Sequence, residues 1–168
     1  TVDNVSTTSD SSSGGLDVDN DSTVTSLSVA HITPVSIASG STLSGAITVS
    51  AGSIKLAETG TLASSISMSG GKIDADNSLT VSGALTQSGN ITIDVADNKT
   101  LTYSGSAISL GANTLTLIGG GTLSNTNALV LNDANSLLTL AGILTIGDVE
   151  GTAASNSGKG ILVTSSAT

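Results

Sequence analysis

The stretch from Ser39 to Ile143 divides into five lines that read alike when stacked: SGSTLSGAITVSAGSIKLAE (39–58), TGTLASSISMSGGKIDADN (59–77), SLTVSGALTQSGNITIDVADN (78–98), KTLTYSGSAISLGANTLTLIGG (99–120) and GTLSNTNALVLNDANSLLTLAGI (121–143). They are 20, 19, 21, 22 and 23 residues long. Each carries three short apolar beats set apart by Ser, Gly, Asn, Asp or Thr. The first beat holds Leu43, Leu62, Leu79, Leu101 and Leu123. The second holds Ile47/Val49, Ile66/Met68, Leu85/Gln87, Ile108/Leu110 and Leu129/Leu131. The third holds Ile54/Leu56, Ile73/Ala75, Ile91/Ile93, Leu115/Leu117 and Leu137/Leu140. Most beats alternate apolar and polar residues, which is the period of a strand. So short a strand cannot bury its apolar side alone. Stacked on copies of itself it forms a parallel ladder whose inward residues line a continuous core.

The repeat therefore predicts an all-β fold, a right-handed parallel β-helix (β-solenoid) of about 6–8 coils of 19–23 residues with three short strands per coil. Three beats per coil suggest three parallel sheets around a triangular core, each coil rising about 4.8 Å. Right-handedness follows from the rule for parallel crossovers. Gly, Asn, Ser and Asp between beats suit corners, where positive φ and side chain–backbone bonds are needed. The longer lines are expected to bulge at their corners and leave the ladder intact. A long helix is excluded, because no apolar stripe of 3.6-residue period persists. Disorder is excluded by an apolar fraction of 38% and a mean hydropathy of +0.33.

Outside the five regular coils, residues 1–22 read as a polar linker or N-terminal arm, and 23–168 as the solenoid. Residues 23–38 form an opening coil or cap, with Pro34 at an edge or corner, where its missing N–H does no harm. Residues 144–168 form a looser last coil around a Gly/Ser-rich insert. The chain opens at Thr1 rather than at Met, as expected of a mature product or a piece of something longer.

Net charge is −9, with four Lys and no Arg. Nucleic acid is thereby excluded as a partner, because no basic patch exists to displace counterions from phosphates. Anionic membrane surfaces are disfavoured on the same ground. There is no Cys, hence no disulfide or thiolate metal site. Phe and Trp are absent and there is one Tyr, so packing falls to stacked Leu, Ile, Val and Ala.

Few residues point to chemistry. Asp17, Asp19 and Asp21 alternate like the start of a calcium loop, but neither the following Gly nor the Glu at the twelfth position is there. Calcium is therefore the one cofactor the reading leaves open, and otherwise none is expected. Asp74/Asp76 and Asp94/Asp97 gather at third-beat corners, where Asn77 and Asn98 suggest a short Asn ladder. Thr48, Thr80, Thr86, Thr92, Thr102, Thr116 and Thr139 alternate with apolar residues and would point outward. Such a Thr ladder can organise water and bind ice, but equivalent sites hold Lys55, Ser67, Asp74 and Ser109, so it reads as irregular and one residue wide. Asn4, Asn20, Asn90 and Asn98 begin glycosylation sequons of the kind a Ser/Thr-rich chain produces by chance. Tyr103 and the four Lys read as an ordinary strand residue and as solvated charges. An enzyme is not expected: His31 has no catalytic partner nearby in sequence, and the paired carboxylates have no apolar pocket to raise a pKa.

The strings GANTLTLIGGGTLSNTNALVL and SLTVSGALTQSGNITI resemble the passenger repeats of bacterial autotransporters and filamentous-haemagglutinin-like adhesins. The resemblance covers about residues 39–143 and carries no functional residue across. It implies a right-handed β-helix, a secreted, cell-surface location and a stalk or adhesin role. The expectation is an extracellular, non-catalytic structural protein, either a stalk or adhesin segment or a self-assembling filament or surface-layer subunit. Its expected partners are its own copies, end to end, or a host or surface glycan or protein, with no small-molecule substrate. The alternative is a binding module: a calcium-stabilised, glycan- or ice-binding β-solenoid.

Overall fold

Every strand in the computed structural model is two to five residues long, and every described pairing is parallel. The structure describes residues 5–7, 16–18, 23–30, 35–37, 42–43, 45–56, 61–142, 145–147, 149–151 and 160–163. The protein is an all-β parallel β-solenoid, as the repeat predicts. The second-beat strands pair from Val5–Thr7 through Leu27–Val29, Ile47–Val49 and Ile66–Met68 to Leu85–Gln87. The third-beat strands form one unbroken sheet of eight, running Leu16–Val18, Val35–Ile37, Ser53–Leu56, Lys72–Ala75, Ile91–Val95, Thr114–Ile118, Leu137–Ala141 and Gly160–Val163. First-beat strands pair from Thr61–Leu62 through Leu79–Val81, Thr100–Tyr103 and Thr122–Asn125 to Thr145–Ile146, and Thr23–Val24 pairs with Thr42–Leu43. We call these the second, third and first faces.

Register puts like on like. On the third face one column runs Ile54, Ile73, Ile93, Leu117 and Leu140, none more than 6% exposed. Beside it Ile91, Leu115 and Leu138 stack in a second column that continues to Ile161. The intervening residues alternate outward, as a period of two requires. The core is thus a bundle of aliphatic columns, with each side chain's partners one coil above and one coil below.

Two strands, Val5–Thr7 and Leu16–Val18, lie within the stretch read as an arm, and they pair with Leu27–Val29 and Val35–Ile37. Their apolar-polar-apolar pattern is outweighed in sequence by the Ser and Asp around them.

Corners are tight. A Cβ placed on Gly83 would run into the Ser64 carbonyl and lie 2.7 Å from the Ala63 carbonyl oxygen. That corner is anchored on both sides by the paired strands Thr61–Leu62 and Ile66–Met68, so it has little freedom to retreat. Gly83→Ala should therefore lower unfolding free energy by about 1–3 kcal/mol. Gly151→Ala, where nothing lies within 4 Å of the added carbon, should be nearly neutral. Urea melts of the two variants check this contrast.

Candidate functional site

The described charges concentrate on the outward side of the third face. Register stacks Lys55, Asp74 and Asp94 in one column, with Lys72 two residues before Asp74 on its strand. Two stacked carboxylates would repel. Lys72 Nζ resolves this by reaching Asp74 Oδ2 and Asp94 Oδ2, each at 3.1 Å, while Lys55 Nζ meets Asp76 Oδ2 at 2.7 Å. Partial burial works against the Lys72 charge, but hydrogen bonds to Asp74 and Asp94, with their negative charges, outweigh it and raise the pKa above 10.5. Lys55 is raised as well, chiefly by its hydrogen bond to Asp76. Asp74 and Asp94 thus lie within strands, not at corners as the sequence suggests, and with Asp76 they are paired by Lys72 and Lys55. Sequence reading treated these lysines as solvated because the pairing spans neighbouring coils and depends on register.

Among the described residues no three His, Cys, Asp or Glu side chains are placed to hold a metal ion. Asp17 sits mid-strand in Leu16–Val18 and pairs with Ser36, while Asp19 and Asp21 lie outside the described residues, as does His31. Asn98 occupies an exposed left-handed turn with φ 59°, closed by Lys99 N–H donating to Ala96 O. Elsewhere corner asparagines bind the backbone of a neighbouring coil. Asn90 Oδ1 accepts from Thr114 N–H at 2.8 Å, Asn125 Oδ1 from Gly147 N–H at 2.9 Å, and Asn127 Nδ2 donates to Gly105 O at 2.6 Å.

The hydroxyl surface is wider than the single file read from sequence. On the first face Thr61, Thr80, Thr102 and Ser124 share one outward column, and Thr100, Thr122 and Thr145 share a second beside it. Thr100 and Thr102 flank buried Leu101, so the two columns lie side by side on one sheet. Third-face Thr92, Thr116 and Thr139 form a further column. Thr100 and Thr122 open their strands ahead of the apolar beat, so the second column does not show in the sequence pattern.

Tyr103 is an interior residue, 2% exposed. Its hydroxyl accepts from Leu85 N–H at 2.9 Å and donates to Ser106 O at 2.8 Å. Nearby, Gln87 is buried in the column above Met68, its Nε2 donating to Thr114 O at 3.0 Å and its Oε1 unpaired. Beside Tyr103 lies an apolar void of about 10 Å³, bordered by Val81, Leu85 and Ile108, barely the room of one water.

Comparison with protein-family models, with curated proteins and with solved structures finds no match to this chain.

Because the folded pKa of Lys72 lies above its unfolded value, the network's contribution is fully present below 10.5 and is lost as pH rises through the folded value. Lys72→Met should cost about 1 kcal/mol at neutral pH. The gap between variant and parent should narrow above pH 10.5 and under high salt, read from urea melts across that range.

Proposed function

We propose that this chain is a rigid, non-catalytic segment of an extracellular bacterial surface protein, a stalk or adhesin shaft of the autotransporter-passenger kind. The observation that supports this most is the unbroken parallel sheet of eight strands on the third face. Its hydrogen bonds run along the stacking axis, so tension or bending along the rod is borne by a ladder rather than by loops. First to last strand spans seven steps of about 4.8 Å, roughly 34 Å. Ile161 continues the column of Ile91, Leu115 and Leu138, yet is 56% exposed. It offers an apolar step on which a further solenoid unit would close, and the partners in this reading are such units or a surface glycan or protein.

Immunolabelling of the native cells tests the reading. Labelling of intact cells is expected, and labelling only after permeabilisation would contradict the reading.

A second reading rests on the paired Thr columns of the first face. They set hydroxyl and methyl groups on a grid of about 4.8 Å between strands and about 6.6 Å along them, a regular surface of the kind that orders water. An ice-binding module would show thermal hysteresis that Thr80→Tyr and Thr102→Tyr abolish; a freezing point equal to the melting point would exclude it.

A further inference from the structure

One rung of the second face departs from the ladder. Along the second face the first residue of a strand donates its N–H to the residue before its partner one coil on. Leu27 does so to Ala46 O at 3.3 Å, Ile47 to Ser65 O at 2.8 Å, Ile66 to Ala84 O at 2.8 Å, and Ile108 to Ala128 O at 3.1 Å. At Leu85 the equivalent acceptor would be Ala107 O. Leu85 N–H instead donates to the Tyr103 hydroxyl, and the sheet that ends at Leu85–Gln87 is separate from the one that begins at Ile108–Ser109.

Within residues 78–143 the residue count marks the same corner. Three residues separate Val81 from Leu85 and three separate Asn125 from Leu129, but four, Ser104 to Ala107, separate Tyr103 from Ile108. Val81, Tyr103 and Asn125 are in register, as are Ile108 and Leu129, so the surplus residue falls at this one corner. The phenol fills the resulting gap, taking the Leu85 proton on one side and giving its own to Ser106 O on the other. Gly105 leaves it room, since a Cβ there would lie 2.6 Å from the Tyr103 oxygen.

The far end of the rung is altered too. Ser50, Ser69 and Ser88 donate back to Val29, Val49 and Met68, whereas Gly111, in the matching place, donates to Asn132 Oδ1 at 2.8 Å. Between these ends lies Gln87 with its orphaned oxygen. The first and third faces cross the same level with their ladders intact.

We propose that this rung is a built-in joint. Within the regular coils the second face opens here first, the other two faces act as the hinge, and the Tyr103 hydroxyl is the clasp. On its second face such a rod has one preferred site of local opening, between residues 85–87 and 108–110.

Native-state hydrogen exchange followed by NMR tests this without altering the chain. The Leu85 amide should exchange at least ten-fold faster than those of Ile47, Ile66 and Ile108. Tyr103→Phe, which removes only the hydroxyl, should speed Leu85 about ten-fold more and change the Thr92 and Thr116 amides less than two-fold. Deleting Ser106 restores a three-residue corner. It should slow Leu85 to the rate of Ile66 and make Tyr103→Phe silent there. Leu85 exchanging as slowly as Ile66 in the parent chain would overturn the joint. So would a Tyr103→Phe effect spread evenly over all three faces.

Discussion

A strand of two to five residues satisfies neither its backbone nor its apolar side alone, and the whole molecule follows from that constraint. Each strand borrows both from the coils above and below: N–H and C=O groups pair along the stack, and Ile or Leu settles on Ile or Leu. The column Ile54, Ile73, Ile93, Leu117 and Leu140 is the result. No coil is stable on its own, so stability spreads between neighbours rather than concentrating in one core. This also explains how a chain with one aromatic residue and no Cys builds an apolar interior: columns of small branched residues need registration, not bulk.

The stacking and the three-beat coil were legible in the sequence because they depend on periodicity, which a single chain carries in full. What depends on register was not. Lys72 reaches Asp94 across a coil boundary, 22 residues away, and no local pattern announces it. The paired Thr columns were hidden for the same reason, since Thr100 and Thr102 become neighbours of Thr122 and Ser124 only once the coils are aligned. The strands at Val5–Thr7 and Leu16–Val18 were lost among Ser and Asp. Tyr103 is the instructive case. Its hydroxyl substitutes for a ladder bond, so the expectation that corners absorb extra residues without disturbing the ladder fails on the second face. The signal was available as one surplus residue between Tyr103 and Ile108, and counting each corner separately would have found it.

These features bear on the proposed role in different ways. The third face, continuous and lysine-bridged, is the load-bearing side in that reading. The first face presents hydroxyl rows to whatever surface it meets. The second face is the one along which the rod gives. A shaft whose second face gives at one level can swing its ends without melting its coils.

The account stands on register, and the absence of Cys makes register directly testable by introduced pairs. Thr80→Cys with Thr102→Cys places two thiols on adjacent strands in register, their Cα atoms about 4.8 Å apart, within the roughly 4.4–6.8 Å that a disulfide spans. Thr80→Cys with Ser124→Cys places them two strands apart, about 9.6 Å, beyond that reach. Mild oxidation should close the first pair almost completely and leave the second reduced, with the fold retained in both. Failure of the first pair, or equal closure of the second, would contradict the stacked register from which everything else is derived.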